Sequence, residues 1–115
     1  MLNNSPQLDR AFAALSDPVR RGMLARLANG PASVSDLAGP LSISLPAVLQ
    51  HLQSLESSGL IRSEKKGRVR TCQLNPAALG SAEQWLTDRR CEWEARHDRF
   101  DNYVMSMKEK GDKGD

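Results

Sequence analysis

The sequence predicts a mainly α domain that carries one β-hairpin and ends in a long helix, and three observations predict it. Between Ser44 and Gly59 apolar residues recur at helical spacing, and from Ile61 the pattern becomes strand-like and reverses at Lys66-Gly67. Beyond the hairpin, Leu79, Leu86, Trp93, Phe100 and Met107 follow one another every seven residues. At 115 residues such a chain builds one domain of modest core, expected over residues 1–107, and dimerisation would bury more apolar surface.

Taken in order, a short polar lead gives way to Leu8, Phe12 and Leu15 at i, i+4 and i+7, which predict a first helix from about Pro6. Ser16-Asp17-Pro18 stops it and starts a second helix, with Asp17 as cap and Pro18 at the first helical position. Val19, Met23 and Leu27 form the apolar stripe of that helix until Asn29-Gly30-Pro31 ends it. Arg20, Arg21 and Arg26 lie off the stripe, as a solvated face or, near the amino end, as phosphate contacts. Ala32 to Val34 suits a short strand, and Ser35 is the expected cap of a brief helix through Asp36, Leu37 and Ala38, closed by Gly39-Pro40.

The next helix carries the most information. Leu45, Val48, Leu52 and Leu55 fall within about 80° of one another at about 100° per residue, so one narrow face is apolar and expected to be buried. The other face holds Pro46, Gln50, Gln53, Ser54 and Ser57. Ser44 is the expected N-cap, Ile43 and Val48 have the spacing of a hydrophobic staple, and Gly59 has the place of a left-handed C-cap. Amides and hydroxyls on the wet face suit a DNA major groove, where amides read base edges. Two short helices joined by a tight turn, the second polar outward, have the sequence form of a helix-turn-helix.

The hairpin runs from Ile61 to Lys66-Gly67 and back through Val69, Cys72 and Leu74. The whole chain has a net charge of only +2, yet Arg62, Lys65, Lys66, Arg68 and Arg70 face Glu64 alone within residues 60–74. One local basic patch on an otherwise neutral body points to a polyanion held at a defined place, and double-stranded DNA is the expected partner. The last helix starts at Asn75-Pro76. Its stripe of five is too long for so small a domain to cover, so the helix is expected to lie against the first helix and its own symmetry mate. Residues 108–115 are charged and of low complexity, which predicts a disordered tail.

Two cysteines, Cys72 and Cys91, without any C-x-x-C spacing, suggest a reducing compartment rather than a disulfide framework. No apolar run approaches the ~18 residues of a membrane span and the amino terminus lacks signal-peptide regions, so the expectation is a cytoplasmic protein without a membrane partner. Two distant histidines and no Gly-rich phosphate loop offer little to an enzyme and imply no cofactor.

With Phe12-Ala13-Ala14-Leu15-Ser16-Asp17-Pro18-Val19-Arg20-Arg21, Leu45-Pro46-Ala47-Val48-Leu49-Gln50-His51-Leu52, Ser58-Gly59-Leu60-Ile61 and Gly67-Arg68-Val69-Arg70 in that order, the chain resembles the ArsR/SmtB family of winged helix-turn-helix transcriptional regulators. The resemblance covers about Leu8 to Leu79. It implies a recognition helix at Ser44–Ser58, a wing at Ile61–Leu74, and a homodimer held by the first and last helices. It further implies a regulator, mostly a repressor, on a palindromic operator and released by a signal. The implied DNA contacts are Ser44, Pro46, Ala47, Gln50, His51, Gln53 and Ser54 on the helix and Lys65, Lys66, Arg68 and Arg70 on the wing. The implied dimer interface is Leu8, Phe12, Leu79, Leu86, Trp93 and Phe100.

The departures from the family bear on mechanism. Metal-sensing members carry E-L-C-V-C-D-L where this chain has Pro31-Ala32-Ser33-Val34-Ser35-Asp36-Leu37, and a hydroxyl does not replace a thiolate. The family's other site, D-x-H-x(10)-H-x-x-[EH], would start at Asp88 and need ligands where Arg90, Asp101 and Val104 stand. No metal is therefore expected at either place, and the effector stays unassigned. His97 with Glu94 and Asp101 is either a ligand group across a dimer or a solvated charged face. Cys91 is either a redox sensor beside Arg90 or an inert thiol, and His51 either packs or meets a phosphate. A rival function is a winged-helix module that binds protein and no DNA.

Overall fold

The computed structural model describes the backbone of residues 5–113 and the side chains of residues 5–108. The chain divides into two compact units, one reaching Ala82 and the other starting at Glu83. The first unit holds α1 (Pro6–Leu15), α2 (Pro18–Leu27), β1 (Ala32–Ser33), α3 (Val34–Ala38), α4 (Leu45–Ser57), β2 (Ile61–Lys66) and β3 (Val69–Leu74). Helix α5 (Pro76–Lys113) starts in the first unit and makes up the second. The strands form one antiparallel sheet in the order β1-β3-β2, with Ala32 opposite Cys72 and Lys66 opposite Val69.

Local chemistry starts and stops these elements. Ser5, Asp17, Ser33 and Ser44 cap α1 to α4 through side-chain oxygens that accept from backbone amides of the first turn. The amide of Arg20, against the opposing effect of burial, and then the amide of Val19 and the nearby charge of Arg20 hold the Asp17 carboxyl below its ordinary pKa. Ser33, not the expected Ser35, caps α3, because its Oγ lies 3.0 Å from the Asp36 amide and the helix starts two residues earlier.

Helix α4 ends in a full Schellman motif. The Leu60 amide donates to Leu55 O and the Gly59 amide to Glu56 O, both at 3.0 Å, while Gly59 takes φ +80°. Leu55 and Leu60, the two apolar residues that this motif brings together, are fully buried. Gly59 also sits under α1: a β-carbon there would come within 2.8 Å of Gln7 Nε2, whose amide donates to Ser58 O. At the hairpin tip, Gly67 has φ +63° and Arg68 does not share the left-handed region, the sign pattern of a type II′ turn.

The core gathers Met23, Leu24 and Leu27 of α2, Leu37 of α3, Val48, Leu52 and Leu55 of α4, and Leu60, Ile61 and Cys72 of the sheet side. Helix α1 contributes Ala11 and Ala14, and the expected stripe of Leu8, Phe12 and Leu15 is only half-buried, because small alanines allow the closest approach to α4. One further expectation is corrected. Leu45, placed on the buried stripe by its spacing, is 55% exposed, since the first turn of α4 extends past the core. Helix α5 runs on through Lys113, past Lys108, from which a charged tail was expected. Residues 114–115 of that tail lie outside the described residues.

Candidate nucleic-acid interface

Helix α4 has three sides. Val48, Leu52 and Leu55 are sunk in the core, which fixes the rotation of the helix about its axis. Diametrically opposite, Pro46, Gln50, Gln53 and Ser57 are exposed, flanked by half-buried Ala47 and Ser54. The exposed row therefore offers two amides and a hydroxyl without competing charge, in one strip of a helix whose first turn is capped by Ser44. Paired amide groups on such a strip match the donor and acceptor pattern of adenine in the major groove.

One flank of α4 turns toward α2. Arg20 donates from Nε to Ala14 O at 2.8 Å and from Nη2 to Ala13 O at 3.2 Å, and its Nη1 lies 3.2 Å from His51 Nδ1. Arg21 donates to Leu15 O at 2.8 Å. Both arginines are thus engaged at the orphan carbonyls ending α1, where a cation also complements the helix dipole. In this geometry they tie α1 to α2. His51 is likewise a half-buried acceptor for Arg20.

The other flank faces the hairpin. Ser63 Oγ donates to Glu56 Oε1 at 2.8 Å and accepts from Arg70 Nη1 at 2.9 Å, a chain linking the last turns of α4 to both strands. Arg62 donates to Asn75 Oδ1 at 3.3 Å at the base of the hairpin. The five cations of the basic patch therefore differ in kind. Arg62 and Arg70 brace the hairpin, whereas the exposed side chains of Lys65, Lys66 and Arg68 form no hydrogen bond or ion pair among the described residues. Sequence spacing placed all five together and missed the roles of Ser63 and Glu56, which depend on which strand residues face α4. Leu45 and Leu49, 55% and 46% exposed, were also missed on this flank; their signal was their position at the edge of the apolar stripe.

The candidate interface residues of the dimer are not alike either. Leu79 packs against the core of its own unit, while Leu8 and Phe12 stay half-buried on α1. In the second unit Leu86, Trp93, Phe100 and Met107 are exposed along α5, at 54%, 66%, 64% and 55%. Trp93 stacks on His97 at 5.9 Å between ring centroids, and His97 Nε2 lies 3.4 Å from Asp101 Oδ2. Cys91 is exposed and Cys72 buried. Burial first, then the Glu56 carboxylate, push the Cys72 thiol pKa up against the charge of Arg70, so it stays protonated at neutral pH. Among the described residues no three His, Cys, Asp or Glu side chains gather as a metal-binding group, and no helix is long and apolar enough to cross a membrane.

A helix-turn-helix formed by α3 and α4, followed at once by a basic antiparallel hairpin, defines a winged helix-turn-helix protein. A family model described as a helix-turn-helix domain matches residues 15–64. The HTH-type transcriptional regulator Rv2034 of Mycobacterium tuberculosis is 44% identical over 73 residues, which cover 64% of this chain and 68% of that one. A crystal structure of the ArsR family transcriptional regulator RHA00566 superposes with a TM-score of 0.76 at 45% identity, covering 82% of this chain and 97% of that one. A homodimeric winged helix-turn-helix DNA-binding domain from Mycobacterium bovis, a possible ArsR-family regulator, superposes with a TM-score of 0.59 at 25% identity, covering 80% of this chain and 94% of that one. The chain belongs to the ArsR family of winged helix-turn-helix transcriptional regulators, a family of regulators and not of enzymes.

Proposed function

We propose that this chain is a homodimeric repressor that reads a palindromic operator through Pro46, Ala47, Gln50, Gln53 and Ser54 and holds the DNA backbone through its wing. The observation that carries the reading is the pairing of an uncharged amide strip on α4 with three unpaired cations on the adjoining hairpin tip. Base-edge contacts give specificity and phosphate contacts give affinity, and here the two kinds of side chain sit on two different elements. The homodimer is supported by the exposed stripe of α5 and by the homodimeric domain among the structural neighbours. The repressor role is the one the family resemblance implies. Metal does not release it through the family's sites, because Ser33 and Ser35 offer hydroxyls and Arg90 a cation where ligands are needed.

Salt dependence tests the reading. Each phosphate contact contributes about −0.9 to the slope of log K against log salt. Arg68→Ala combined with Arg70→Ala weakens binding on all sequences about equally and flattens that slope, most of the change coming from Arg68. An unchanged slope would remove the wing from the interface, and a wild-type chain that retains no DNA at low salt would favour the protein-binding alternative.

A further inference from the structure

A cleft of about 400 Å³ lies between the amino-terminal half of α4 and the hairpin. Its apolar wall is Leu45 and Leu49 of α4, 55% and 46% exposed, with half-buried Val34 of α3 between the Ser33 and Ser35 hydroxyls, and its cationic wall is Lys65, Arg68 and Arg70; Val69 borders it, but as the partner of Lys66 it belongs to the other face of the hairpin. A neighbouring depression of about 340 Å³ shares Leu49 and Arg70 and reaches down to Leu52 and Ile61. Single exposed aliphatic residues are ordinary on a protein surface, but Leu45 and Leu49, one turn apart, with Val34 on the same concavity beside three cations form a site with two chemistries.

We propose that this cleft binds a small amphipathic carboxylate, an aliphatic chain bearing one acid group, and that its occupation releases DNA. The release half rests on the functional reading above; the binding half does not. The apolar body covers Leu45, Leu49 and Val34 and frees the water held over them. Charge fixes the orientation. Glu56, bonded to Ser63, occupies the deeper depression and repels an anion there, so the carboxylate lies at the Lys65 and Arg68 end, where the cations have no partner of their own. Those same cations are the proposed phosphate contacts, so ligand and DNA backbone compete for them. A larger polyanion such as DNA satisfies the cations but leaves the aliphatic wall uncovered, which is why an amphipath is the better occupant of the whole cleft.

The test titrates DNA-free protein with decanoate, decanol and acetate below their aggregation limits, by calorimetry and by amide chemical shifts. Decanoate binds with shifts centred on Leu45, Leu49 and Val34, decanol binds at least about tenfold more weakly, and acetate does not bind. Leu49→Gln, an exposed position whose folding is checked by thermal melting, weakens decanoate by about tenfold or more, as expected for a lost apolar contact of leucine size; Leu45→Gln does the same. Saturating decanoate then displaces DNA in a retention assay, and an equal ionic strength of acetate does not. Equal affinity for decanol, unaltered affinity in both variants, or DNA retained at saturation overturns the proposal. A chain that binds no DNA under any condition overturns the functional reading, and the titrations on free protein are unaffected by that result.

Discussion

Helix α4 and the part of α5 beyond Glu83 are both written with apolar residues at helical spacing, yet they end in opposite states. In α4 the residues Val48, Leu52 and Leu55 are buried by the chain's own α1, α2 and sheet. In α5 the residues Leu86, Trp93, Phe100 and Met107 keep more than half of their surface open. The lesson is that periodicity identifies a face that must be covered but does not identify the cover. A three-residue apolar seam at i, i+4 and i+7 fits the width of one small core, whereas a stripe repeated every seven residues over about six turns exceeds it, and the proposed homodimer would supply its cover from a second chain.

Substitutions sharpen this contrast, starting with the largest effect. Leu55→Ala removes a fully buried side chain and costs about 2–5 kcal/mol in chemical denaturation, because the core around it cannot close. A cost below about 1 kcal/mol would mean that α4 is not held by its own unit. Gly59→Ala comes next. It forces a β-carbon into a left-handed position with φ +80° and to within 2.8 Å of Gln7 Nε2, so it costs about 1–3 kcal/mol and lowers the melting temperature. Trp93→Glu acts on the other region: it leaves the helical circular-dichroism signal in place but converts dimers to monomers in sedimentation at tens of micromolar, with poorer DNA binding. A wild-type monomer at that concentration would break the contrast outright. Smallest is Gln50→Ala, which relaxes preference at one base pair per half-site, by about 1–3 kcal/mol of discrimination, and leaves folding unaltered. Uniform weakening on all sites would make Gln50 a phosphate contact instead.

What the sequence made legible follows the same division between local and distant causes. Ser44, Asp17 and Gly59 act within one turn of their own helix, and each occupies the capping place that spacing gives it. Arg20 and Arg21 were ambiguous because their partners, Ala13 O, Ala14 O and Leu15 O, are carbonyls of another helix whose end they reach only after folding. The same holds for Arg70, whose engagement by Ser63 depends on the register of β2 against β3, in which Ser63 pairs with Cys72. Leu45 misled because angular position says nothing about how far along its axis a helix stays on the core. Ser33 prevailed over Ser35 as cap because β1 ends where the sheet pairing with Thr71 ends, which fixes the start of α3.

The central claim is that two copies of this chain read DNA with their α4 strips. The most direct measurement is a binding selection on random duplex DNA with the purified full chain at low salt, followed by sequencing. The account predicts enrichment of an inverted repeat whose half-sites lie about one helical turn, ~10 base pairs, or a multiple of it apart, and loss of the enrichment in Trp93→Glu. An enriched site without twofold symmetry, or no enrichment over input despite retained DNA, would contradict it.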